Sequence, residues 1–196
     1  MAAMFDSCRA LSSLDITNFN TASVTTMQDM FEQCRALTKL DLSSFDTSNV
    51  TAMGLMFCAS SNLESILVSN KFIVNQGTTV TDMFAGTINL SKIITTSPSP
   101  SVDQFAPVAS QMSNITFYVP NSGLDSYKST WSSIADDKIK PILTVSEGDE
   151  FVRLGYSFED DATYEVAEYA VNSNSVSSND SNLTDGVGLM SVFSFA

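Results

Sequence analysis

A chain of 196 residues, 43% of them apolar, is long enough to bury a hydrophobic core and is expected to form one domain with a smaller appendage. Its net charge of −13 and the absence of any Lys/Arg cluster exclude a phosphate-binding surface for nucleic acid and disfavour an anionic membrane. Residues 144–196 hold ten of the 22 acidic residues and one basic residue, so −9 of the charge lies there.

Histidine is absent, which excludes His-dependent hydrolytic triads and zinc sites with imidazole ligands. The three cysteines, Cys8, Cys34 and Cys58, form no CxxC pair and predict neither a redox motif nor a disulfide framework. No run of 18 apolar residues predicts a membrane span, and the first ten residues lack the pattern of a signal peptide. We therefore expect a protein that is not an enzyme, with no catalytic residue, metal or cofactor.

A 26-residue repeat occupies the first half of the chain. Its most regular mark is a Met-Phe pair that recurs at spacings of 26, 26 and 27 residues, and we number the copies 1 to 4 by these pairs: Met4-Phe5, Met30-Phe31, Met56-Phe57 and Met83-Phe84. The longer spacing in copy 4 reflects one extra residue, Lys71. Internal repeats of this length are typical of proteins built by stacking small units.

The segment around each Met-Phe pair is predicted to be a short α-helix. Val50, Met53 and Met56 are spaced three apart, as on one helix face. Residues 47–49, Thr-Ser-Asn, precede this segment and offer side-chain oxygens as N-caps. Leu40 and Leu42, spaced two apart, predict a strand after the helix, so that one repeat reads helix, turn, strand, turn.

The sequence of the second copy resembles that of a known repeat family. MFEQCRALTKLDLSSFDTSNVTAM, residues 30–53, resembles the leucine-rich repeats of BspA-like bacterial surface proteins, also called the DUF285 repeat. The match is good in copies 1 and 3 and degraded in copy 4, and it covers residues 4–96. The resemblance implies an α/β solenoid, a right-handed leucine-rich coil with a strand and a short helix per repeat, in a cell-surface or secreted bacterial protein of the adhesin type.

The segment FYVPNSGLDSYKSTWSSIADDKIKPI, residues 117–142, is similar to the one that closes such repeat arrays. Leu124, Tyr127, Trp131 and Ile134 have the spacing of an amphipathic helix, and Ser122 with Asp125 fits a capping box. We therefore divide the chain into a solenoid over 1–119, a capping helix within 120–143 and an acidic β segment over 144–196. Strand-like runs at 152–158, 164–171 and 189–195 make the last segment either a truncated second domain or a sheet packed on another surface.

The outward positions of the predicted strands are the candidate binding site, because solenoids bind partners on this concave surface. A protein or glycan ligand fits their mixed polar character. Asp15 and Asp41 have an alternative role as acceptors for turn amides, and Cys8 with Cys34 fit a stack of small buried residues better than a metal or redox pair. The candidate residues are Ser13, Asp15, Thr17, Lys39, Asp41, Ser43, Ser65, Leu67, Ser69, Lys92, Ile94 and Thr96.

The amino-terminal repeat begins without a polar cap before Met4-Phe5, so it is expected to leave apolar surface open. Self-association or a partner chain at this end would cover it. The alternative to a binding module is accordingly a structural or interaction component of a larger assembly, such as a phage particle or a surface layer.

Overall fold

The computed structural model describes residues 1–97, 99–100 and 102–142, together with the backbone of 151–152 and 169–170. The chain divides into two compact units, Met1–Lys140 and Pro141–Ala196. The strands and the α-helix are β1 (Lys39–Leu42), β2 (Ser65–Val68), β3 (Lys92–Thr95), β4 (Thr116–Pro120), α1 (Leu124–Thr130), β5 (Ile139–Ile142), β6 (Phe151–Val152) and β7 (Tyr169–Ala170). Short 3₁₀ helices cover Ala106–Gln111, Asn121–Gly123 and Asp136–Lys138.

Strands β1 to β5 form one open sheet in chain order, and β1 to β4 are parallel neighbours. Equivalent repeat positions pair across it, as Leu40 with Ile66 and Ile66 with Ile93. The prediction of an α/β arrangement is confirmed in this coarse sense, a parallel sheet with few helices. Repeat 1 contributes no strand among the described residues, although the sequence predicts one at 13–17.

The inner face of the sheet packs on the Met-Phe segments. Leu40, Leu42 and the Met and Phe of repeats 2 and 3 are at most 1% exposed, in one continuous core. Phe5, Phe31, Phe57 and Phe84 form a column with ring centroids 5.5, 5.8 and 5.2 Å apart and interplanar angles of 4°, 6° and 15°. Stacked aromatic pairs contribute about 0.5–1.5 kcal/mol beyond their burial, so this column helps to hold the repeats in register.

The predicted helix of each repeat is wrong: these segments are successions of tight turns. In repeat 3, N–H groups alternate between two kinds of acceptor. Met56 and Cys58 donate to the carbonyls of Met53 and Leu55, three residues back, instead of the four of an α-helix. The intervening N–H groups of Leu55, Phe57 and Ala59 donate to repeat 4, at the carbonyls of Thr81, Met83 and Ala85.

Left-handed backbone makes this alternation possible. Each repeat has two residues with φ between 51° and 75°, four positions apart: Ala3 and Ser7, Asp29 and Gln33, Leu55 and Ala59, Asp82 and Gly86. A positive φ at the third residue of a turn is characteristic of type II turns and is incompatible with a continuing α-helix. A spacing of three fits both helix and turns, and bonds to the neighbouring repeat select the turns.

Thr47 is not a helix cap, as the sequence predicted, but a buried link to the next repeat. Its hydroxyl donates to the Ile73 carbonyl at 2.7 Å and accepts the Ile73 N–H at 2.6 Å. Thr21 pairs with the backbone of Asp46 in the same way, at 2.9 and 2.8 Å. The Asn49 side chain also reaches another repeat, donating to Ala22 at 2.8 Å. These side chains tie neighbouring repeats together.

The predicted amphipathic helix exists as α1 but ends at Thr130, before Ile134. Trp131 leaves the helix with φ −87° and ψ 63°, and its indole N–H donates to the Val102 carbonyl at 3.1 Å. The predicted capping box is wrong, because Gly123 is the N-cap residue and no side chain caps the helix. Tyr127 is fully buried and its hydroxyl donates to the Ser97 carbonyl at 2.9 Å. The apolar face of α1 is therefore held both by burial and by the hydrogen bonds of its aromatic side chains.

Gln111 closes the row of turns after repeat 4. Its side-chain oxygen accepts the Phe84 N–H at 3.3 Å, where the preceding interface uses the carbonyl of Met83 for the N–H of Phe57. Its amide nitrogen donates to the Val80 carbonyl at 3.0 Å. A side-chain amide thus takes the place of a fifth repeat's peptide group.

In the carboxy-terminal unit, β6 and β7 pair as antiparallel two-residue strands. They fall within or beside two of the runs predicted as strands, and the third run, 189–195, lies outside the described residues. Among the described residues, no helix is long and apolar enough to cross a membrane.

Candidate functional site

The outer face of the sheet, opposite the core, carries two rows of side chains from neighbouring strands. We use the name outer face for these rows, for the next outward position of each repeat (Ser43, Ser69 and Thr96), and for the matching positions of repeat 1 (Ser13, Asp15 and Thr17). The pairing register places Lys39, Ser65, Lys92 and Thr116 in the first row, and Asp41, Leu67, Ile94 and Tyr118 in the second. Adjacent strands lie about 4.8 Å apart, so each row sets side chains at that interval.

Nine of the twelve predicted site residues are fully or partly exposed. Ser13, Asp15, Thr17 and Thr96 are exposed, and Lys39, Asp41, Ser43, Ser69 and Lys92 are partly exposed. Ser65, Leu67 and Ile94 are 3%, 6% and 0% exposed. Leu67 and Ile94 are buried outside the main core cluster. The most accessible continuous part of the outer face therefore belongs to repeats 1 and 2.

The two aspartates hold local turns, which was the alternative that the sequence left open. One carboxylate oxygen of Asp15 accepts the Thr17 hydroxyl at 2.7 Å and the Thr17 N–H at 3.0 Å. These two hydrogen bonds lower the pKa of Asp15. Asp41 accepts the Ser43 N–H at 2.8 Å in the same geometry. Both carboxylates are thereby fixed in orientation, Asp15 at an exposed position and Asp41 at a partly exposed one.

The cysteines behave as packing residues. The Cys34 thiol is buried and donates to the Phe5 carbonyl at 3.1 Å, and Ser60 donates to the equivalent carbonyl of Phe31 at 2.6 Å. Burial raises the pKa of Cys34 to about 11. The pKa of Cys58 is also raised, first by burial and then by nearby carboxylates, of which Glu32 contributes most. All three thiols are free, and the described residues contain no group of three His, Cys, Asp or Glu that could hold a metal ion.

Sequence reasoning missed Thr116 and Tyr118, which extend the outer face onto β4. The sequence signal was the run TFYVP, residues 116–120, which is rich in aromatic and β-branched residues as strands are, and the structure shows it with alternating burial. It also missed that Thr21 is the equivalent of Thr47 in the preceding repeat, although the two are 26 residues apart. Their recurrence in TASV and TSNV was available as evidence for a shared structural position.

A small cleft of about 180 Å³ lies away from the outer face, between repeat 4 and residues 111–115. Its rim includes Ile88, which is 81% exposed, and its lining includes the amide side chains of Gln111 and Asn114. Among the described residues, no charged side chain lines it. The cleft is smaller than the usual 300–1,000 Å³ of sites for small molecules.

A family model described as "Mycoplasma protein of unknown function, DUF285" matches residues 1–114, more than half of the chain. The matched residues include the four Met-Phe pairs and the first three strands of the sheet. No curated protein and no solved structure shows significant similarity to the chain.

Proposed function

The chain belongs to the DUF285 family, and from this premise we propose that it is a non-enzymatic binding module whose outer face holds a protein or glycan ligand. We further propose that its repeats form a leucine-rich solenoid of the BspA-like kind, in a bacterial surface or secreted protein that adheres to host or other cells. The inter-repeat hydrogen bonds and the parallel register support the solenoid, and the resemblance of residues 30–53 supports the family type.

One observation carries the binding proposal: inward positions repeat while outward positions change. Leu40, Ile66 and Ile93 are similar and buried at one register position. The next position holds Asp41, Leu67 and Ile94, which differ in charge and polarity. Repetition inside builds the fold, and variation outside gives each repeat its own chemistry, as in other repeat proteins that bind along one surface. Of these three outward residues Asp41 is accessible, whereas Leu67 and Ile94 are buried.

Repeats 1 and 2 supply the chemistry for recognition. Their outward groups are hydroxyls, oriented carboxylates and one ammonium, a set that suits hydrogen bonding to sugar hydroxyls or peptide groups. The two acids and two bases Asp15, Asp41, Lys39 and Lys92 give the outer face a mixed charge that selects against polyanions. The six residues that we assign to ligand contact are Ser13, Asp15, Thr17, Lys39, Asp41 and Ser43.

The test is a glycan and matrix-protein array probed with the full chain. A Lys39→Glu, Asp41→Lys double variant reverses two outer-face charges, and Asp125→Lys, Lys128→Glu makes the same exchange on α1 as a matched control. We expect the first to lose at least tenfold in binding and the second to retain it, with circular dichroism unchanged in both. Equal binding by both variants would remove the outer face from consideration.

Asp41→Asn refines the result, because an amide oxygen can still accept the Ser43 N–H. Loss of binding in this variant assigns the role to the carboxylate charge. If the array shows no ligand at all, the alternative role as a component of a larger assembly, such as a phage particle or a surface layer, becomes the better proposal. The exposed Met4 of repeat 1, at 49%, is the observation that favours it.

A further inference from the structure

The face of repeat 1 that lies away from repeat 2 presents hydrogen-bond acceptors rather than donors. At the interface between these repeats, the N–H groups of Ala3, Phe5 and Ser7 donate to carbonyls of repeat 2 at 2.8, 3.0 and 2.8 Å. The accepting carbonyls belong to Gln28, Met30 and Glu32. The equivalent carbonyls of repeat 1, 26 positions earlier, are those of Ala2, Met4 and Asp6, and they accept no hydrogen bond from the described residues.

We call these three carbonyls, with the side chains of Met4 and Phe5, the open edge. Met4 is 49% exposed, whereas its equivalents Met30 and Met56 are fully buried by the preceding repeat. Phe5 stacks on Phe31 at 5.5 Å and remains partly exposed although Phe19 lies 6.4 Å from it. The open edge therefore combines apolar surface with a row of hydrogen-bond acceptors at every second residue.

The excess of acceptors over donors restricts which partner can bind the open edge. The N–H groups of Ala3, Phe5 and Ser7 point toward repeat 2, and those of Asp6 and Cys8 are used inside the turns, so the open edge offers carbonyls and few donors. Two copies cannot satisfy each other edge to edge, because acceptors would face acceptors. The end of the row that presents donors is closed at its centre by Gln111, which accepts the Phe84 N–H.

We propose that the open edge binds a polypeptide segment with the turn conformation of residues 27–34, as a further repeat of the same kind would present it. Its N–H groups at the positions of Asp29, Phe31 and Gln33 donate to the carbonyls of Ala2, Met4 and Asp6. Its phenylalanine extends the aromatic column beyond Phe5, and its methionine covers Met4. The bound segment continues the geometry that repeats 1 and 2 already share.

The first experiment titrates the full chain with a 26-residue peptide of the sequence 27–52 by calorimetry. Methylation of the peptide's Phe31 nitrogen removes the donor for Met4, whereas methylation at Ala36 touches an amide without a hydrogen bond in the structure. We expect one-to-one binding that weakens at least tenfold with the first modification and is unchanged by the second. In the protein, Met4→Lys should abolish binding and Ile88→Lys, at another exposed apolar residue, should preserve it.

The second experiment avoids the entropy of ordering a free peptide. A copy of residues 27–52 placed directly before Met1 keeps the 26-residue period, and a matched fusion carries Lys in place of the copied Phe31. We expect the first fusion to raise the thermal midpoint by several degrees and the second to leave it unchanged. The proposal is overturned if neither the peptide nor the fused copy engages, or if the unmodified chain forms a dimer that Met4→Lys dissolves.

Discussion

The Ser60 hydroxyl lies 2.6 Å from the carbonyl oxygen of Phe31 and donates to it, while its oxygen accepts the Cys34 N–H at 3.1 Å. Ser60 is 1% exposed, so neither bond can be replaced by water. Because Cys34 makes the matching contact to Phe5 in the repeat before, serine and cysteine are interchangeable at this position in the sequence.

Replacement of Ser60 by alanine is expected to lower the free energy of unfolding by about 1–3 kcal/mol, since a buried carbonyl and a buried N–H each lose a partner. Ser60→Cys should cost less, because a thiol can donate to the same carbonyl. Urea denaturation measures both, and Ser61→Ala, at a neighbour with no side-chain hydrogen bond in the structure, is the control. Equal costs for Ser60→Ala and Ser61→Ala would contradict the assigned role.

Thr47→Val keeps the shape of a buried side chain and removes its hydroxyl. The bonds to the Ile73 backbone and a weaker one to Lys71 at 3.3 Å are lost, so we expect a destabilisation of about 2 kcal/mol. The same change at Thr79, an exposed threonine without a side-chain bond, should alter stability by less than about 0.5 kcal/mol. Thermal and chemical denaturation of the two variants give the comparison.

Comparison of Gly86→Ala with Gly77→Ala separates the cost of backbone strain from the cost of steric contact with a neighbouring repeat. Both glycines have positive φ, 75° and 85°. A Cβ at Gly86 would lie 3.3 Å from the Cα of Ala59, whereas none of the surrounding atoms comes within 4 Å at Gly77. Each change should cost about 1 kcal/mol for backbone strain, and Gly86→Ala should cost measurably more. Similar losses at both sites would mean that repeats 3 and 4 can separate slightly at no cost.

The buried thiol of Cys34 makes the free energy of unfolding depend on pH in the alkaline range. Its folded pKa, about 11, lies above the ordinary value of 9.0, so the folded state holds the proton more tightly. The resulting stabilisation is complete below pH 9 and is lost as pH rises from about 9 to 11. Cys34→Ser removes this dependence and can keep the bond to Phe5. The difference in unfolding free energy between wild type and variant should therefore shift in favour of the variant over that window.

Reactivity of Cys58 tests the carboxylates near it. Burial and the charge of Glu32 both raise its pKa and reduce the reactive thiolate. Glu32→Gln in a chain with Cys8→Ser and Cys34→Ser should speed the reaction with a disulfide reagent at pH 8. The same change at Glu64, which does not contribute to the raised pKa, should leave the rate unchanged. An identical rate for Glu32→Gln and the parent would mean that the charge of Glu32 does not control the thiol.

The repeat period, the strand positions of repeats 2 to 4 and the buried face could be read from the sequence, because they depend on spacing alone. The helices could not. Val50, Met53 and Met56 satisfy a three-residue spacing in either a helix or consecutive turns. The decision rests with Thr81, Met83 and Ala85 of the next repeat, whose carbonyls take the N–H groups that a helix would use internally. Such a choice is tertiary, and local propensity cannot express it.

The candidate site was predictable in outline and uncertain in extent. Alternation in Lys39–Leu42 correctly separates outward Lys39 and Asp41 from the core. The same rule fails to anticipate the burial of Leu67 and Ile94, because alternation identifies the face on which a residue lies and not its exposure. Asp15 was left open between ligand contact and a turn acceptor, and its bond to Thr17 recurs one period later between Asp41 and Ser43.

The left-handed residues of the turns have a consequence for how the protein unfolds. Leu55 and Ala59 occupy a backbone region that costs a non-glycine residue about 1 kcal/mol or more, and hydrogen bonds to repeat 4 hold them there. A repeat without its neighbour lacks the hydrogen bonds that stabilise its left-handed residues, so the turns of adjacent repeats should unfold cooperatively. Amide hydrogen exchange should accordingly show one shared protection level across repeats 2 and 3, with faster exchange at Ala3, Phe5 and Ser7, in the repeat whose Met4 is exposed and whose Phe5 is partly exposed.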